Sequence, residues 1–178
     1  FDLYMAPIKG GEMTNLTADN EAWDSQPLFS PDGRYIYYSQ DDTPGKFFEY
    51  NKDPYAGIYR VKRIDLQEDR TEVYLGGTGG AVRPTPSPDG KRIAFVRRVR
   101  EKTVLFVHDV ATGAEWPIYE DLERDMQETW AIHGVYPAFA WTPDGKELVF
   151  WARGKLHRIA RGGGEAKDIP FHAKDTRK

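Results

Sequence analysis

The sequence contains no cysteine and no long hydrophobic run, and its charges nearly balance. Without cysteine, neither a disulfide framework nor a thiolate metal site can form. No stretch approaches the roughly 20 apolar residues of a membrane-spanning helix, so we expect no membrane insertion. The formal net charge is -3, whereas binding to nucleic-acid phosphates needs a basic protein surface. We therefore expect no nucleic-acid partner.

The composition of the chain is typical of a globular protein. The chain has 178 residues, of which 39% are hydrophobic, 13% aromatic and 30% charged, enough for a full hydrophobic core. It begins at Phe1 and enters directly a stretch that predicts strand, turn and strand, without the pattern of a signal peptide. We therefore expect a piece of a longer polypeptide.

One sequence motif, which we call the Pro-Asp-Gly phrase, occurs three times in the chain. It runs SPDGRYIYYSQ from Ser30, SPDGKRIAFVRR from Ser87 and TPDGKELVFWAR from Thr142. Serine or threonine first, proline second and glycine fourth are the preferences of a type I turn. The predicted structural turn motif comprises Pro31, Asp32, Gly33, Pro88, Asp89, Gly90, Pro143, Asp144 and Gly145. Its aspartates bond locally and recur one repeat apart, which favours a structural role over catalysis or calcium binding.

The phrase is one part of a larger repeating unit. An apolar strand follows each turn, and a short strand that contains proline precedes it (QPLFS, RPTPS and PAFAWT). A hairpin completes the unit, with a glycine-containing turn except in the first repeat, where the turn is the less regular Gln67-Glu68-Asp69. Asp32 and Asp89 are 57 residues apart, and Asp89 and Asp144 are 55 residues apart. Four short strands in a repeat of about this length predict a β-propeller blade that carries insertions.

The predicted fold is all-β, an arc of four-stranded antiparallel blades with about three complete blades and one half blade. The predicted boundaries are a half blade at 1–17, blades at 18–77 and 78–120, a blade with an N-terminal insertion at 121–172, and a tail or linker at 173–178. A closed propeller needs four to eight blades, so the ends of the arc must be covered. We expect the covering partner to be the rest of a parent polypeptide, another protein, or a second copy through the open blade ends.

Two insertions, at 41–57 and 120–134, carry the candidate contact residues. They supply more aromatic surface than a solvated connection needs, either for packing against a blade or for contact with a partner or channel ligand. The candidates are Phe47, Phe48, Tyr50, Tyr55, Trp130, His133 and Tyr136. Asp41, Asp42 and Asp53 lack the ligand spacing of a calcium loop.

No catalytic constellation is visible in the chain. The histidines, His108, His133, His157 and His172, are scattered and form no His-x-His pair, and there is no Gly-x-Ser-x-Gly motif. The glycine-rich stretch at 76–80 lacks the Lys-Ser/Thr of a phosphate-binding loop, which favours a linker between blades. We predict no catalytic residue, metal ligand or cofactor in this segment.

With the Pro-Asp-Gly phrase, the glycine hairpins and the order of the strands, the chain resembles the TolB-type (WD40-like, PD40-repeat) β-propeller. Its last blade, from Thr129 to Phe171, is similar to the N-terminal propeller of a group of bacterial amidohydrolases. The resemblance implies an exported, periplasmic or secreted protein, in which this segment packs on and gates a catalytic barrel that holds a zinc-like divalent metal. Two alternatives are a TolB-like periplasmic protein-binding module and the gating propeller of a serine peptidase.

Overall fold

The computed structural model describes residues 1–20, 22–41, 59–122, 138–172 and 174. Within these residues the regular structure consists of β-strands in one two-stranded and three four-stranded antiparallel sheets. In each four-stranded sheet the strands follow one another in chain order, as in a propeller blade. The all-β propeller arc of three blades and one half blade is thereby confirmed.

The strands are numbered in chain order. The half blade contains β1 (Tyr4–Met5) and β2 (Thr14–Asn15). Blade 1 contains β3 (Trp23–Phe29), β4 (Tyr35–Asp41), β5 (Tyr59–Asp65) and β6 (Arg70–Leu75). Blade 2 contains β7 (Val82–Pro86), β8 (Arg92–Val99), β9 (Lys102–Asp109) and β10 (Glu115–Tyr119). Blade 3 contains β11 (Phe139–Trp141), β12 (Glu147–Ala152), β13 (Lys155–Ala160) and β14 (Lys167–Ile169).

The hydrophobic core lies between neighbouring blades, because the second strand of a blade buries both of its faces. In β8, Ile93 and Phe95 pack with blade 1, whereas Ala94 and Val96 belong to a cluster shared with blade 3. Side chains alternate between the two faces of a strand, so this continuous apolar run supplies both interfaces. A third cluster, which includes Tyr38, joins the half blade to blade 1.

Polar contacts fix the blades to one another. The indole of Trp141 on β11 donates a hydrogen bond to the Thr85 carbonyl of β7 over 2.8 Å. The indole of Trp116 on β10 donates in the same way to the carbonyl of Arg161, which follows β13, over 2.9 Å. Each bond gives a partly buried indole a partner from the neighbouring blade.

The connection between blades 1 and 2 requires its glycines. The Ala81 amide donates to the Tyr59 carbonyl over 2.9 Å, and the Arg98 amide donates to the Gly79 carbonyl over 3.0 Å. A Cβ atom on Gly80 would lie 2.7 Å from the Tyr59 oxygen, and one on Gly79 only 1.9 Å from the Arg98 oxygen. The glycine-rich stretch at 76–80 is therefore a linker that crosses close to the backbone of its neighbours.

No helix of the described residues is long and apolar enough to cross a membrane.

Candidate functional site

A cleft opens where the first strands of the three blades come together. These strands adjoin because β7 packs against both β3 and β11. The cleft has a volume of about 250 Å³, and we call it the inner-strand cleft. It is lined by Gln26, Pro27, Leu28, Arg83, Pro84, Thr85, Ala138 and Phe139.

The lining residues occupy matching places in the repeat. Gln26, Arg83 and Ala138 each stand five positions before the proline of their own Pro-Asp-Gly turn. The same place in three blades thus carries an amide, a guanidinium and a methyl group. The repeat fixes the position, whereas the chemistry differs from blade to blade.

Two of these positions are β-bulges. The pairing of β3 with β4 shifts register between Ser25 and Leu28, and the pairing of β7 with β8 shifts between Val82 and Thr85. At each shift a residue other than glycine adopts a left-handed backbone, with φ of 56° at both Gln26 and Arg83. Bulges re-aim side chains, and a left-handed backbone outside glycine carries strain of about 1–3 kcal/mol.

One hydroxyl group connects the two bulges. Ser39 on β4 donates a hydrogen bond from Oγ to Oε1 of Gln26 over 3.0 Å and accepts one from the Arg83 amide over 2.9 Å. Ser39 is completely buried. Because its hydroxyl bonds to both blades, the placement of Arg83 depends on blade 1 as well as on its own strand.

The Arg83 side chain has an unmatched charge. Its Nε atom is buried without a hydrogen-bond partner, and none of the ion pairs among the described residues includes Arg83. Burial lowers the pKa of the guanidinium, and no carboxylate of the described residues counteracts that effect. A buried unsatisfied donor costs about 1–3 kcal/mol, so the Arg83 side chain carries an uncompensated cost beside the cleft.

A buried polar cluster lies behind β3. Asp24 accepts hydrogen bonds from Nε2 of Gln40 over 2.7 Å and from Nδ2 of Asn20 over 3.1 Å. The Tyr38 hydroxyl is buried without a hydrogen-bond partner, and burial, followed by the nearby charge of Asp24, raises its pKa. Asp24 is thus occupied by amide donors, and the cluster supports β3 from within the blade.

The repeated turn residues lie in hydrogen-bonded turns at the start of each second strand. In blade 2 the Gly90 amide donates to the Ser87 carbonyl over 2.9 Å, and Gly90 has a φ of 68°. The Ser87 hydroxyl donates to Asp89 over 2.6 Å and accepts from the Arg92 amide over 3.0 Å. Asp89 also accepts from the Lys91 amide over 3.0 Å.

The other two turns repeat these bonds. Ser30 donates to Asp32 over 2.5 Å, and Thr142 donates to Asp144 over 2.6 Å. In all three turns the bond from the hydroxyl group, and then that from a backbone amide, lowers the pKa of the aspartate. The aspartates are thus ionised acceptors within their own turns.

The predicted aromatic contact residues lie outside the described residues. These are Phe47, Phe48, Tyr50, Tyr55, Trp130, His133 and Tyr136. Asp42 and Asp53 of the calcium alternative also lie outside, whereas Asp41 is buried at the end of β4. The aromatic contact surface remains a prediction.

Three of the four histidines are described, and they do not come together. His108 on β9 lies 3.5 Å from Glu115, and His157 on β13 lies 3.0 Å from Asp168. Burial lowers the pKa of His108, which favours a neutral imidazole. His172 is exposed after the last strand. In the described ranges no three His, Cys, Asp or Glu side chains are grouped so that they could hold a metal ion.

Sequence reasoning did not identify Arg83 as a candidate. The stretch RPTPS indicates a short strand that contains proline, but it does not show that the arginine lacks a partner. The signal in the sequence is the contrast among Gln26, Arg83 and Ala138 at one place of the repeat. Function is expected at positions where a repeating scaffold varies.

Comparisons with known proteins agree with the fold. No protein-family model matches the chain. An uncharacterised protein of Agrobacterium fabrum is 26% identical over 154 residues, which cover 84% of this chain and 46% of that protein. The Tol-Pal system protein TolB of Chromobacterium violaceum is 36% identical over 55 residues, 31% of this chain and 13% of TolB. The chain thus spans less than half of either relative.

Solved structures give the same result. TolB from Acinetobacter baumannii matches with a TM-score of 0.72 and 21% identity, over 96% of this chain and 37% of that chain. The β-propeller domain of the Trilobed protease from Pyrococcus furiosus matches with a TM-score of 0.53 and 19% identity, over 84% of this chain and 43% of that chain. The chain therefore has the fold of a TolB-type β-propeller.

Proposed function

We propose that this chain is a non-catalytic β-propeller segment of a larger exported protein. Its role there is that of an accessory domain, which packs on the catalytic barrel of an amidohydrolase-type, metal-dependent hydrolase and gates access to it. The resemblance of the last blade to amidohydrolase propellers supports this parent. No three described His, Cys, Asp or Glu side chains are grouped to hold the zinc-like metal of such an enzyme, and in the proposal residues of the barrel would hold it.

The observation that carries the accessory role is the open apolar end of the arc. The half blade has two strands among the described residues, and its large hydrophobic side chains face solvent. Phe1 is 70% exposed and Met13 is 62% exposed. The exposed set comprises Phe1, Tyr4, Met5, Ile8 and Met13, and we call it the half-blade surface.

Such a surface is suited to contact with another body. Contiguous exposed apolar patches mark interaction sites, and unpaired strand edges add backbone donors and acceptors. A ring also needs more blades than the described residues supply. In the proposed protein, the half-blade surface is covered by further blades or by the catalytic domain.

A TolB-like periplasmic binding module is the second candidate. The comparisons with TolB favour it, because the TolB structure from Acinetobacter baumannii matches nearly the whole chain. In that case the partner is another protein, held by loops and by the inner ends of the blades. The gating propeller of a serine peptidase is a further alternative, supported by the match to a protease propeller.

The sequence of the parent reading frame beyond Lys178 separates these candidates. A strand with a His-x-His pair is expected for the amidohydrolase, whereas a Gly-x-Ser-x-Gly elbow would support a peptidase. An early stop would favour the TolB-like module. Each of the last two results would contradict the preferred parent.

An activity assay tests the non-catalytic role. The purified 178-residue chain is incubated with amide and peptide substrates, with and without added zinc. We expect no hydrolysis above the blank, because no described residues are grouped to hold a metal ion and the sequence has no Gly-x-Ser-x-Gly motif. Metal-dependent turnover by this chain alone would refute the proposal.

A further inference from the structure

Four partly buried arginines of the blades have a carboxylate opposite the guanidinium. The pairs are Arg34 with Asp65, Arg63 with Glu72, Arg92 with Asp109 and Arg97 with Glu115. A fifth, Arg161, instead donates a hydrogen bond to the Gly145 carbonyl over 3.4 Å. Arg83 is also partly buried, but no described carboxylate faces it. A withdrawn positive charge without a counter-ion is a candidate for an anion supplied from outside.

The surroundings of Arg83 place this charge beside a space that can hold a ligand. Arg83 lines the inner-strand cleft, and it is the one charged residue among the described residues that line it. Its backbone is held in a bulge by the hydrogen bond to Ser39 of the neighbouring blade. The backbone from which the guanidinium extends is therefore fixed in place, which preorganises the side chain for binding.

We propose that the inner-strand cleft binds a small organic monocarboxylate, with the Arg83 guanidinium as its anchor. The carboxylate would take the place that an aspartate or glutamate takes at Arg34, Arg63, Arg92 and Arg97. The fork of the guanidinium matches the two oxygens of a carboxylate. One positive charge beside the cleft balances one negative charge on the ligand.

The rest of the lining defines the body of the ligand. Five of the eight described lining residues are apolar: Pro27, Leu28, Pro84, Ala138 and Phe139. A volume of about 250 Å³ lies below the usual range of pockets for drug-sized ligands. The expected ligand is thus an acid with a compact apolar or aromatic body. A phosphate dianion does not suit the cleft, because the described lining residues include no second cation.

This site goes beyond the proposed accessory role and does not depend on it. The half-blade surface and the inner-strand cleft share no lining residue. Loss of carboxylate binding would leave the accessory role untouched, and evidence against the accessory role would leave the cleft untouched.

The test compares an acid with its neutral amide. 3-Phenylpropionate and 3-phenylpropionamide are titrated into the 178-residue chain, and binding is followed by saturation-transfer NMR and calorimetry. We expect the acid to bind at least about tenfold more tightly than the amide, since a charged hydrogen bond to a withdrawn guanidinium supplies the difference. Equal binding of the two compounds would overturn the proposal.

Variants assign the effect to the residue. R83Q should weaken binding of the acid at least about tenfold. The matched control is R100Q, which removes the same charge at a position with the same φ of 56° in an exposed turn outside the cleft. R83K keeps the charge but loses the two-pronged geometry of the guanidinium, so its affinity for the acid should lie between those of the wild type and R83Q. R83K also replaces R83Q as the test variant if R83Q does not fold. Unchanged binding in R83Q or R83K, or an equal loss in R100Q, would refute the anchor.

Two further ligands identify the source of the carboxylate. A blocked dipeptide with a free C-terminal carboxylate should bind no more tightly than 3-phenylpropionate. Tighter binding of that dipeptide would assign the cleft to a polypeptide terminus and overturn the small-molecule assignment. Inorganic phosphate should not compete with the acid, and competition at equal concentration would replace the carboxylate site with a general anion site.

Discussion

The linker between blades 1 and 2 offers a sharp test of the blade packing. Gly77 and Gly79 belong to the same linker and have nearly the same φ, 87° and 83°. A Cβ atom on Gly77 would meet no atom within 4 Å, whereas one on Gly79 would lie 1.9 Å from the carbonyl oxygen of Arg98. Alanine at either position adopts a left-handed backbone, which costs about 1–2 kcal/mol. Any difference between the two variants therefore reports the close approach to β8.

The size of that difference follows from what must move. To relieve the clash, the linker has to shift away from Arg98, which breaks the hydrogen bond from its amide to the Gly79 carbonyl. The lost bond is worth about 1 kcal/mol and the overpacking costs about 1–3 kcal/mol. Gly79→Ala should thus lower the free energy of unfolding by about 2–4 kcal/mol more than Gly77→Ala.

Urea unfolding followed by near-UV circular dichroism measures both variants against the wild type. A difference of less than about 0.5 kcal/mol between them would refute the reasoning, since surface changes commonly fall in that range. In that case the linker would not lie against β8 as described.

Three further changes probe the turns, the charges and the core. Gly90→Val should lower the free energy of unfolding by about 1–3 kcal/mol, because valine tolerates positive φ poorly, and an unchanged melting temperature would contradict the turn. Hydrogen bonds from Arg34 lower the pKa of Asp65 from its ordinary value of 3.8 to about 2. The ionised Asp65 therefore stabilises the fold above pH 3.8, and this stabilisation is lost as the pH falls towards 2. In an NMR titration Arg34→Gln should raise that pKa, and no change would exclude the pairing. Phe95→Ala should lower the free energy of unfolding by about 3–5 kcal/mol, because Phe95 is fully buried; a loss below about 1 kcal/mol would contradict the packing between blades.

The fold could be predicted from sequence because each turn is specified locally. Serine, proline and glycine in fixed order determine the turn around Gly90 without help from distant residues. The burial of both faces of β8 was also visible, as an apolar run through Ile93 and Phe95. Repetition reinforced both signals.

The cleft could not be predicted because its geometry depends on contacts across blades. The bulge at Arg83 is held by Ser39, which lies 44 residues away in the chain. Nothing near Arg83 in the sequence shows that its guanidinium lacks a carboxylate. The partner of a charged side chain is a tertiary property, whereas the partner of a turn residue is close in sequence.

The central claim is that the open end of the arc is a surface for another body. Light scattering of the purified 178-residue chain over a concentration series tests it most directly. We predict a mass that rises above 20.4 kDa with concentration, since the half-blade surface lacks its natural cover. Met13→Lys should suppress this rise, whereas Val73→Lys, a control at a residue exposed by 49% on β6, should not. A mass that stays at 20.4 kDa at every concentration would contradict the account.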